Sequence, residues 1–438
     1  MKFMKIAVAA ALAFAWSNAM AFHSGGVAEC EGCHSMHNSF EGSANVTGQP
    51  QFSSGPYLLK ARDQSGACLN CHNAADTTGS SYHISTANVT PNDSTRAVEG
   101  TPGGDFAWLK KTMDFVIRGT TAFGGNEGDR HGHNIVAVDF GYSADKHFTA
   151  SPGGTYPAAN LACSSCHDPH GKYRRLADGS KNVTGLHIFN SGSYTNSANP
   201  IAGVGAVGVY RLLAGTGYQP ASVSGSHAFG STSPDAVAKS TYNGVSTSTT
   251  LASAQRDLVA YGQGMSEWCG NCHTAMHNDT YVSGNAARTV HPAGNGAKLT
   301  AQVAANYTAY VSSGIMTGTA TTSASAIAPF EIGSADYTAL KAFPTTPTAP
   351  STTSNVLCLS CHRAHASGFE SMARYSLINE FMTVADSAGA ALYDSSTTEN
   401  KVNWGYNVQQ QTDAYNGRPA TVFGPYARNY CNKCHAKD

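Results

Sequence analysis

The twelve cysteines of this 438-residue chain fall into six copies of one pattern, Cys-x-x-Cys-His. The copies are Cys30/Cys33/His34, Cys68/Cys71/His72, Cys163/Cys166/His167, Cys269/Cys272/His273, Cys358/Cys361/His362 and Cys431/Cys434/His435. C-x-x-C-H is the attachment pattern for c-type haem. Each thiol forms a thioether to a haem vinyl group, and the adjacent imidazole supplies one axial ligand to iron. Zinc ribbons and thiol redox pairs use C-x-x-C without the following histidine. Histidine fills 18 of 438 positions, so its recurrence after all six second cysteines is not accidental. A disulfide framework would not explain the histidines. The reading is six covalent haems and a chain that moves electrons.

Twelve histidines remain: His23, His37, His83, His131, His133, His147, His170, His187, His227, His277, His291 and His365. Six irons with two imidazoles each need only six of them, so every iron is expected to be bis-histidine. Methionine also ligates haem, and ten methionines leave that alternative open by count. His23, His37, His83, His133 and His291 are the leading distal candidates, most of them in apolar or glycine-rich surroundings. His37, His170, His277 and His365 lie three or four residues past a motif histidine. At that distance a side chain faces a neighbouring haem more readily than the far face of its own. For His170 a hydrogen bond to a haem propionate is an equal alternative. His131, His147, His187 and His227 sit in polar stretches and read as surface or propionate-facing. Lys172, Arg174 and Arg175 follow the third motif closely and read as propionate partners or as a solvated basic face. No catalytic residue is identified. A haem reductase needs an open iron position, often marked by lysine in place of the motif histidine, and all six motifs end in histidine.

The elements that hold these sites are expected to be few. Each motif needs a helical turn, which brings two cysteines three apart and the histidine to one side. Intervals between first cysteines are 38, 95, 106, 89 and 73 residues, which is no fixed repeat. Long inserts such as Ser191 to Gly208 and Ser222 to Ala252 are rich in Ser, Thr and Gly and read as coil laid over haems. Leu299, Val303, Tyr307 and Tyr310 recur at helical spacing and predict a helix over Ala297 to Ser312. Met372, Tyr375, Leu377, Phe381 and Val384 predict another over Phe369 to Ala385. Asp105 to Ile117 is a shorter candidate, with Asp105 as its cap. The expected fold class is mostly irregular coil with few short helices and minimal strand, a multihaem body organised around a continuous chain of six haems.

Residues 1–21 read as a secretory signal: Lys2 and Lys5, an apolar run from Ile6 to Trp16, then Ala19-Met20-Ala21 before Phe22. That run is too short to span a bilayer, and no other stretch reaches spanning length. Removing the signal leaves 417 residues, about 70 per haem, as a single body over 22–438. With a formal net charge of −1, nothing points to a nucleic-acid partner, and none is expected. Twelve propionates would take it further negative.

Longer strings extend beyond the motifs. They are Phe22-His-Ser-Gly-Gly-Val-Ala-Glu-Cys30-Glu-Gly-Cys-His34 with Met36-His37-Asn38, and Cys163-Ser-Ser-Cys-His-Asp-Pro-His-Gly-Lys-Tyr-Arg-Arg175. Further strings are Tyr261-Gly-Gln-Gly-Met-Ser-Glu-Trp268, His291-Pro-Ala-Gly-Asn-Gly-Ala297, Cys358-Leu-Ser-Cys-His-Arg-Ala-His-Ala-Ser-Gly-Phe369 and Cys431-Asn-Lys-Cys-His-Ala-Lys-Asp438. In these the chain resembles the OmcS-type hexahaem cytochromes, outer-surface proteins of metal-reducing bacteria that polymerise into electron-conducting filaments. All six sites are covered, in order. The resemblance implies bis-histidine ligation throughout and a haem chain with alternating stacked and T-shaped neighbours. It implies a head-to-tail homopolymer in which His37 ligates the fifth haem, that of His362, in an adjacent subunit. The other distal ligands come, as a set, from His23, His83, His133, His170, His277, His291 and His365. Partners would be further copies of the chain, other cytochromes and extracellular acceptors such as metal oxides. The location would be the outer cell surface after transit through the periplasm. A monomeric shuttle and a multihaem reductase are the competing functions.

Overall fold

The computed structural model describes residues 30–35, 39–40, 43–44, 56–73, 83–86, 101–111, 113–117, 120–239, 258–277, 290–310, 328–377, 380–385, 388–392, 408–415 and 420–435. The expected signal segment, His23 and His37 lie outside them. Short helices carry or flank the motifs: α1 (Cys30–Cys33), α2 (Gln64–His72), α3 (Met265–Cys269), α4 (Thr274–His277), α5 (Ala301–Tyr310), α6 (Tyr337–Ala342), α7 (Cys358–Cys361), α8 (Val408–Ala414) and α9 (Tyr430–Cys434). The third motif instead begins on a 3-10 turn, Cys163–Ser165. Most of the remaining described residues are in coil. No helix among the described residues is long and apolar enough to cross a membrane.

Polar caps start these pieces where propensity alone would not. Asp63 accepts from the Gly66 N–H at 2.7 Å at the head of α2, and Asp336 accepts from Thr338 N–H at 2.9 Å at α6. Asn429 accepts from Tyr430 N–H at 2.6 Å before α9. Each satisfies a donor that a helix terminus leaves orphaned.

Strands are two to seven residues long. The hairpins are β1 (Ser39–Phe40) with β2 (Ser43–Ala44), β3 (Met113–Ile117) with β4 (Thr120–Asn126), and β11 (Val384–Ala385) with β12 (Ala391–Leu392). A four-stranded sheet has the order β6 (Lys181–Asn182), β5 (Arg174–Arg175), β8 (Ala206–Gly208), β7 (Ile188–Asn190), with only β7 and β8 parallel. Strands β9 (Asp235–Ala238) and β10 (Val259–Gln263) form an antiparallel pair with Ala236 opposite Tyr261.

Two helix expectations fail for local reasons. Asp105 does cap, accepting from Ala107 N–H at 2.7 Å. Its turn is 3-10, Phe106–Lys110, and the chain then becomes β3 rather than continuing as helix. Phe369 to Ala385 is not a helix. A 3-10 turn at Glu370–Met372 is broken by Ser371 at φ 54° and Met372 at φ 49°, and the segment ends in β11. The buried positions of that segment, Tyr375 and Met382, reach the largest apolar cluster from coil, alongside Trp108, Tyr307, Tyr415, Phe423 and Tyr430. The third predicted helix forms as α5.

The basic run after the third motif also differs from expectation. Arg175 is buried and bonded to Asp235 in β9, which Lys181 also contacts at 3.0 Å. Arg174 donates to the carbonyls of Lys172, Leu186 and Val183. Lys172 lies over the rings of Tyr173 and Tyr218. The two arginines tie strands and coil together, while Lys172 is exposed, as expected of a solvated basic face.

Glu331 joins three segments. It pairs through its backbone with Asn355 and lies beside Tyr261 of β10. Its Oε1 accepts from Met265 N–H at 3.0 Å, the first residue of α3. Burial and the neighbouring Glu267 raise its pKa from 4.5 to about 8, so it holds a proton at neutral pH.

Two outcomes follow from these buried charges. Asp235→Ala would leave Arg175 and Lys181 without their shared anion and should destabilise the fold by about 3–5 kcal/mol, read as a lowered thermal midpoint. Glu331 has a folded pKa above its unfolded one. Its contribution is therefore complete below pH about 4.5 and is lost as pH rises through about 8. Thermal stability should decline across that window, and Glu331→Gln should flatten the decline.

Candidate haem-attachment sites

Each motif is built on one helical turn. The histidine N–H donates back to the first cysteine carbonyl at 2.8 Å in His34, 3.0 Å in His167, 3.1 Å in His273, 3.0 Å in His362 and 3.0 Å in His435. This bond places both thiols and the imidazole on one side of the turn. All twelve cysteines are free.

The thiols are not equally sheltered. Among protein atoms, Cys30, Cys71 and Cys431 are exposed. The other nine, Cys272 and Cys434 among them, are partly covered. For Cys71 the exposure has a helical cause. The buried face of α2 is Ser65, Gly66, Ala67 and Leu69. Cys71 follows Leu69 by two residues, about 200° around the helix axis, so it stands on the opposite side. It lies near Cys33, whose pKa is raised by burial and then by that neighbour. The first and second motifs therefore approach one another at the rim of the body, with Cys71 as the outer of the two thiols.

Serines set other motifs beside one another in pairs. Ser65 of α2 accepts from Cys163 N–H at 3.2 Å, and the Cys68 and Cys163 sulfurs are in contact. Ser266 of α3 accepts from Cys358 N–H at 3.0 Å, and the Cys269 and Cys358 sulfurs are in contact. Ser165 and Ser360 complete the match, accepting from Ala162 N–H at 2.9 Å and Leu357 N–H at 3.2 Å. Motifs two and three, and motifs four and five, are thus joined by the same contact.

Four motif histidines face a second histidine. Ring centroids are 6.5 Å apart for His34 and His170, 6.3 Å for His167 and His365, 6.1 Å for His273 and His133, and 6.1 Å for His435 and His291. A metal–imidazole bond is about 2 Å and a ring nitrogen lies roughly 1.1 Å from its centroid, so two imidazoles sharing one metal have centroids about 6.2 Å apart. The observed spacing fits an iron between each pair. It leaves too much room for a direct hydrogen bond.

The outer nitrogens agree. His34 Nδ1 contacts Tyr57 O at 2.9 Å, His167 Nδ1 Arg211 O at 2.7 Å, His273 Nδ1 Pro152 O at 2.8 Å and His362 Nδ1 Ser371 O at 2.8 Å. Among the facing histidines, His133 Nδ1 meets Ala364 O at 2.7 Å, His365 Nδ1 Gly104 O at 3.2 Å and His291 Nδ1 Pro292 O at 2.9 Å. A carbonyl only accepts, so Nδ1 carries the proton and Nε2 keeps its lone pair for a metal. The Gly104 contact needs glycine. Its φ is 87°, and a Cβ there would sit 1.7 Å from Ala366 O. Burial lowers the pKa of His133 to about 4 and of His365 to about 3, which keeps both neutral.

Local bonds aim the facing histidines. Asp168 accepts from His170 N–H at 3.1 Å and Lys172 N–H at 3.0 Å, which curls the third motif's tail so that His170 reaches His34. His365, three past His362, reaches His167 and stacks on Phe106 at 4.7 Å. His133 N–H donates to His365 O at 2.8 Å, so the partners of motifs three and four run side by side.

His72 and His83 are both half-buried, and Ile84 N–H donates to His72 O at 3.0 Å, which lays the His83 segment along the second motif. His277 closes α4. His131, expected at the surface or beside a propionate, is wholly buried and exchanges bonds with Ser367. Its pKa falls to about 4 through burial, and it acts as a strut between two chain segments. His147 is exposed beside Glu127 and Asp129, His187 is exposed, and His227 packs edge-on to Tyr156.

Sequence reasoning missed the supports of the motif histidines. In motifs one, three and five the acceptor carbonyl belongs to a left-handed dipeptide: Tyr57-Leu58 (φ 62°, 59°), Arg211-Leu212 (50°, 55°) and Ser371-Met372 (54°, 49°). Non-glycine residues held there are strained by about 1–3 kcal/mol each. The three segments share no residue pattern that would have marked them.

No family model matches the chain. It is 54% identical, over the whole of both chains, to the C-type cytochrome OmcS of Geobacter sulfurreducens. Its structure is similar to the outer membrane cytochrome S filament from Geobacter sulfurreducens, with a TM-score of 0.84, 95% of this chain and all of that one being covered. A second structure, cryo-EM of the OmcS nanowires from the same organism, gives 0.83 with the same coverage. With 54% identity over its full length and a shared fold over 95% of it, the chain belongs to the OmcS family of c-type cytochromes.

Proposed function

We propose that the chain is the hexahaem subunit of a conductive filament, exported from the cell and carrying electrons along a continuous line of haems to extracellular acceptors. The observation that carries this is the set of four imidazole pairs at iron-spanning separation, each containing one motif histidine. Haem supplies a one-electron iron couple at each site. The twelve motif cysteines hold the groups covalently, and His34, His72, His167, His273, His362 and His435 are the proximal ligands. His170 is the second ligand at site one, His365 at site three, His133 at site four and His291 at site six. Site two takes its second imidazole from His23, His83 or His277, and the backbone bond between Ile84 and His72 favours His83. Site five, at His362, takes His37 from the next subunit. The cysteine contacts bring sites two and three, and sites four and five, together, which suits electron movement; a second imidazole at each iron would leave no open position for a substrate. Cys71 stays in this set, with Cys68, as an attachment point of site two. The rest of the chain, as one haem-organised body, excludes water and fixes the spacing.

A filament subunit with this ligand set has a distinct spectroscopic signature. Intact protein should carry six covalent haems by mass, with every iron low-spin by electron paramagnetic resonance. A resting high-spin signal equal to one haem in six would instead indicate an open site and a reductase. His37→Ala should keep six haems per chain, lose filaments in electron micrographs and convert one iron to a five-coordinate or water-ligated state. Intact filaments with six low-spin irons in that variant would make His37 a residue without a role at the joint.

A further inference from the structure

Six of the seven non-glycine residues with positive φ among the described residues lie in three dipeptides: Tyr57-Leu58, Arg211-Leu212 and Ser371-Met372. The surrounding bonds repeat. The first residue's carbonyl accepts from Nδ1 of His34, His167 or His362 at 2.9, 2.7 and 2.8 Å. The second residue's carbonyl accepts from the N–H that follows the motif, Ser35, Asp168 or Arg363, at 2.8, 2.9 and 2.7 Å. Two residues further, Lys60, Ala214 and Arg374 donate N–H to the second cysteine's carbonyl, Cys33, Cys166 and Cys361, at 2.9, 3.0 and 2.8 Å. A bridge then pairs each motif histidine with Leu59, Leu213 or Ala373. Motif four shows another support, Pro152 O, outside any such dipeptide.

Repeated strain in one arrangement has a use. An extended backbone would turn the first carbonyl away from the imidazole. The left-handed pair aims two successive carbonyls at the histidine ring and the N–H beyond it. A carbonyl on Nδ1–H makes the imidazole a stronger electron donor at Nε2, which favours ferric over ferrous iron and lowers the potential.

We infer that these three dipeptides are positioning elements that hold the first, third and fifth sites at lower potential than they would otherwise have. The first, third and fifth sites are thereby set by one shared device, which differs from the support seen at the fourth. This rests on the proposal that the motifs carry bis-histidine haem.

The test uses backbone preference, because the acting atom is a carbonyl. Ser371 and Tyr57 are exposed, so substitution there leaves the core intact. A β-branched residue resists positive φ, whereas glycine adopts it freely. Ser371→Ile and Tyr57→Ile, each beside its glycine counterpart, would be purified as holoprotein and titrated by spectroelectrochemistry. Each Ile variant should keep six haems and six low-spin irons. One couple should move upward by at least a tenfold change in its equilibrium constant, about 59 mV for one electron. Ser371→Gly and Tyr57→Gly should titrate like the parent. Unchanged titrations in both Ile variants, or equal shifts in the Gly variants, would overturn the inference. So would failure of both Ile proteins to accumulate while both Gly proteins do, since the turns would then serve folding alone. Parent protein with fewer than six haems, or with a high-spin iron, would overturn the underlying proposal instead, independently of how the variants titrate.

Discussion

A hydrogen bond from histidine Nδ1 to a backbone carbonyl organises this molecule. It recurs at seven of the histidines in the facing pairs and their motifs, and each time it leaves Nε2 as the lone-pair nitrogen. Its demands explain features that otherwise look unrelated. Left-handed residues appear where no glycine stands, Gly104 appears where no side chain fits, and long coil persists because carbonyls in regular helices and strands are already committed. The chain uses short capped helices to place cysteines and irregular backbone to aim histidines.

The apolar clusters play a supporting part. Tyr307, Tyr415 and Phe423 pack with Trp108 beside the fifth and sixth motifs, while Tyr210, Tyr261 and Met265 gather near the fourth. Among the described residues they form several separate clusters rather than one continuous core. That is the pattern expected when rigid prosthetic groups supply much of the interior, with binding and folding coupled as in metal-nucleated domains.

The attachment motifs, and the short reach that sends His170 and His365 to another motif's site, were legible from residue type and spacing. The specific partners were not, because each is fixed by contacts between distant segments. Spacing alone also treats the twelve thiols as equivalent. The exposure of Cys71 depends on which side of α2 packs inward, and that is decided by contacts from elsewhere in the chain. Periodicity misled at Phe369 to Ala385: Tyr375 and Met382 are apolar because coil delivers them to a core, and Ser371 already precludes a helix. Proximity in sequence misled at Arg175, whose counter-ion is Asp235 in another strand. His131 looked polar from its neighbours and is buried because Ser367 meets it from far along the chain. The pairing serines were visible in principle: Ser65 and Ser266 both stand three residues before a first cysteine, and Ser165 and Ser360 just before a second.

The sequence distances of the histidine supports have a consequence for biogenesis. His133 leans on Ala364, 231 residues later, and His365 on Gly104, 261 residues earlier. Closing loops of that size is slow, since their entropy must be overcome before any contact rewards it. The motif rings are oriented from closer by, His34 by Tyr57, 23 residues on, and His167 by Arg211, 44 residues on. Thioether formation needs only the local helical turn, which each motif carries within itself. Formation of the motif turns is thus separable in time from the placing of the facing histidines, whose supports stand 231 and 261 residues away.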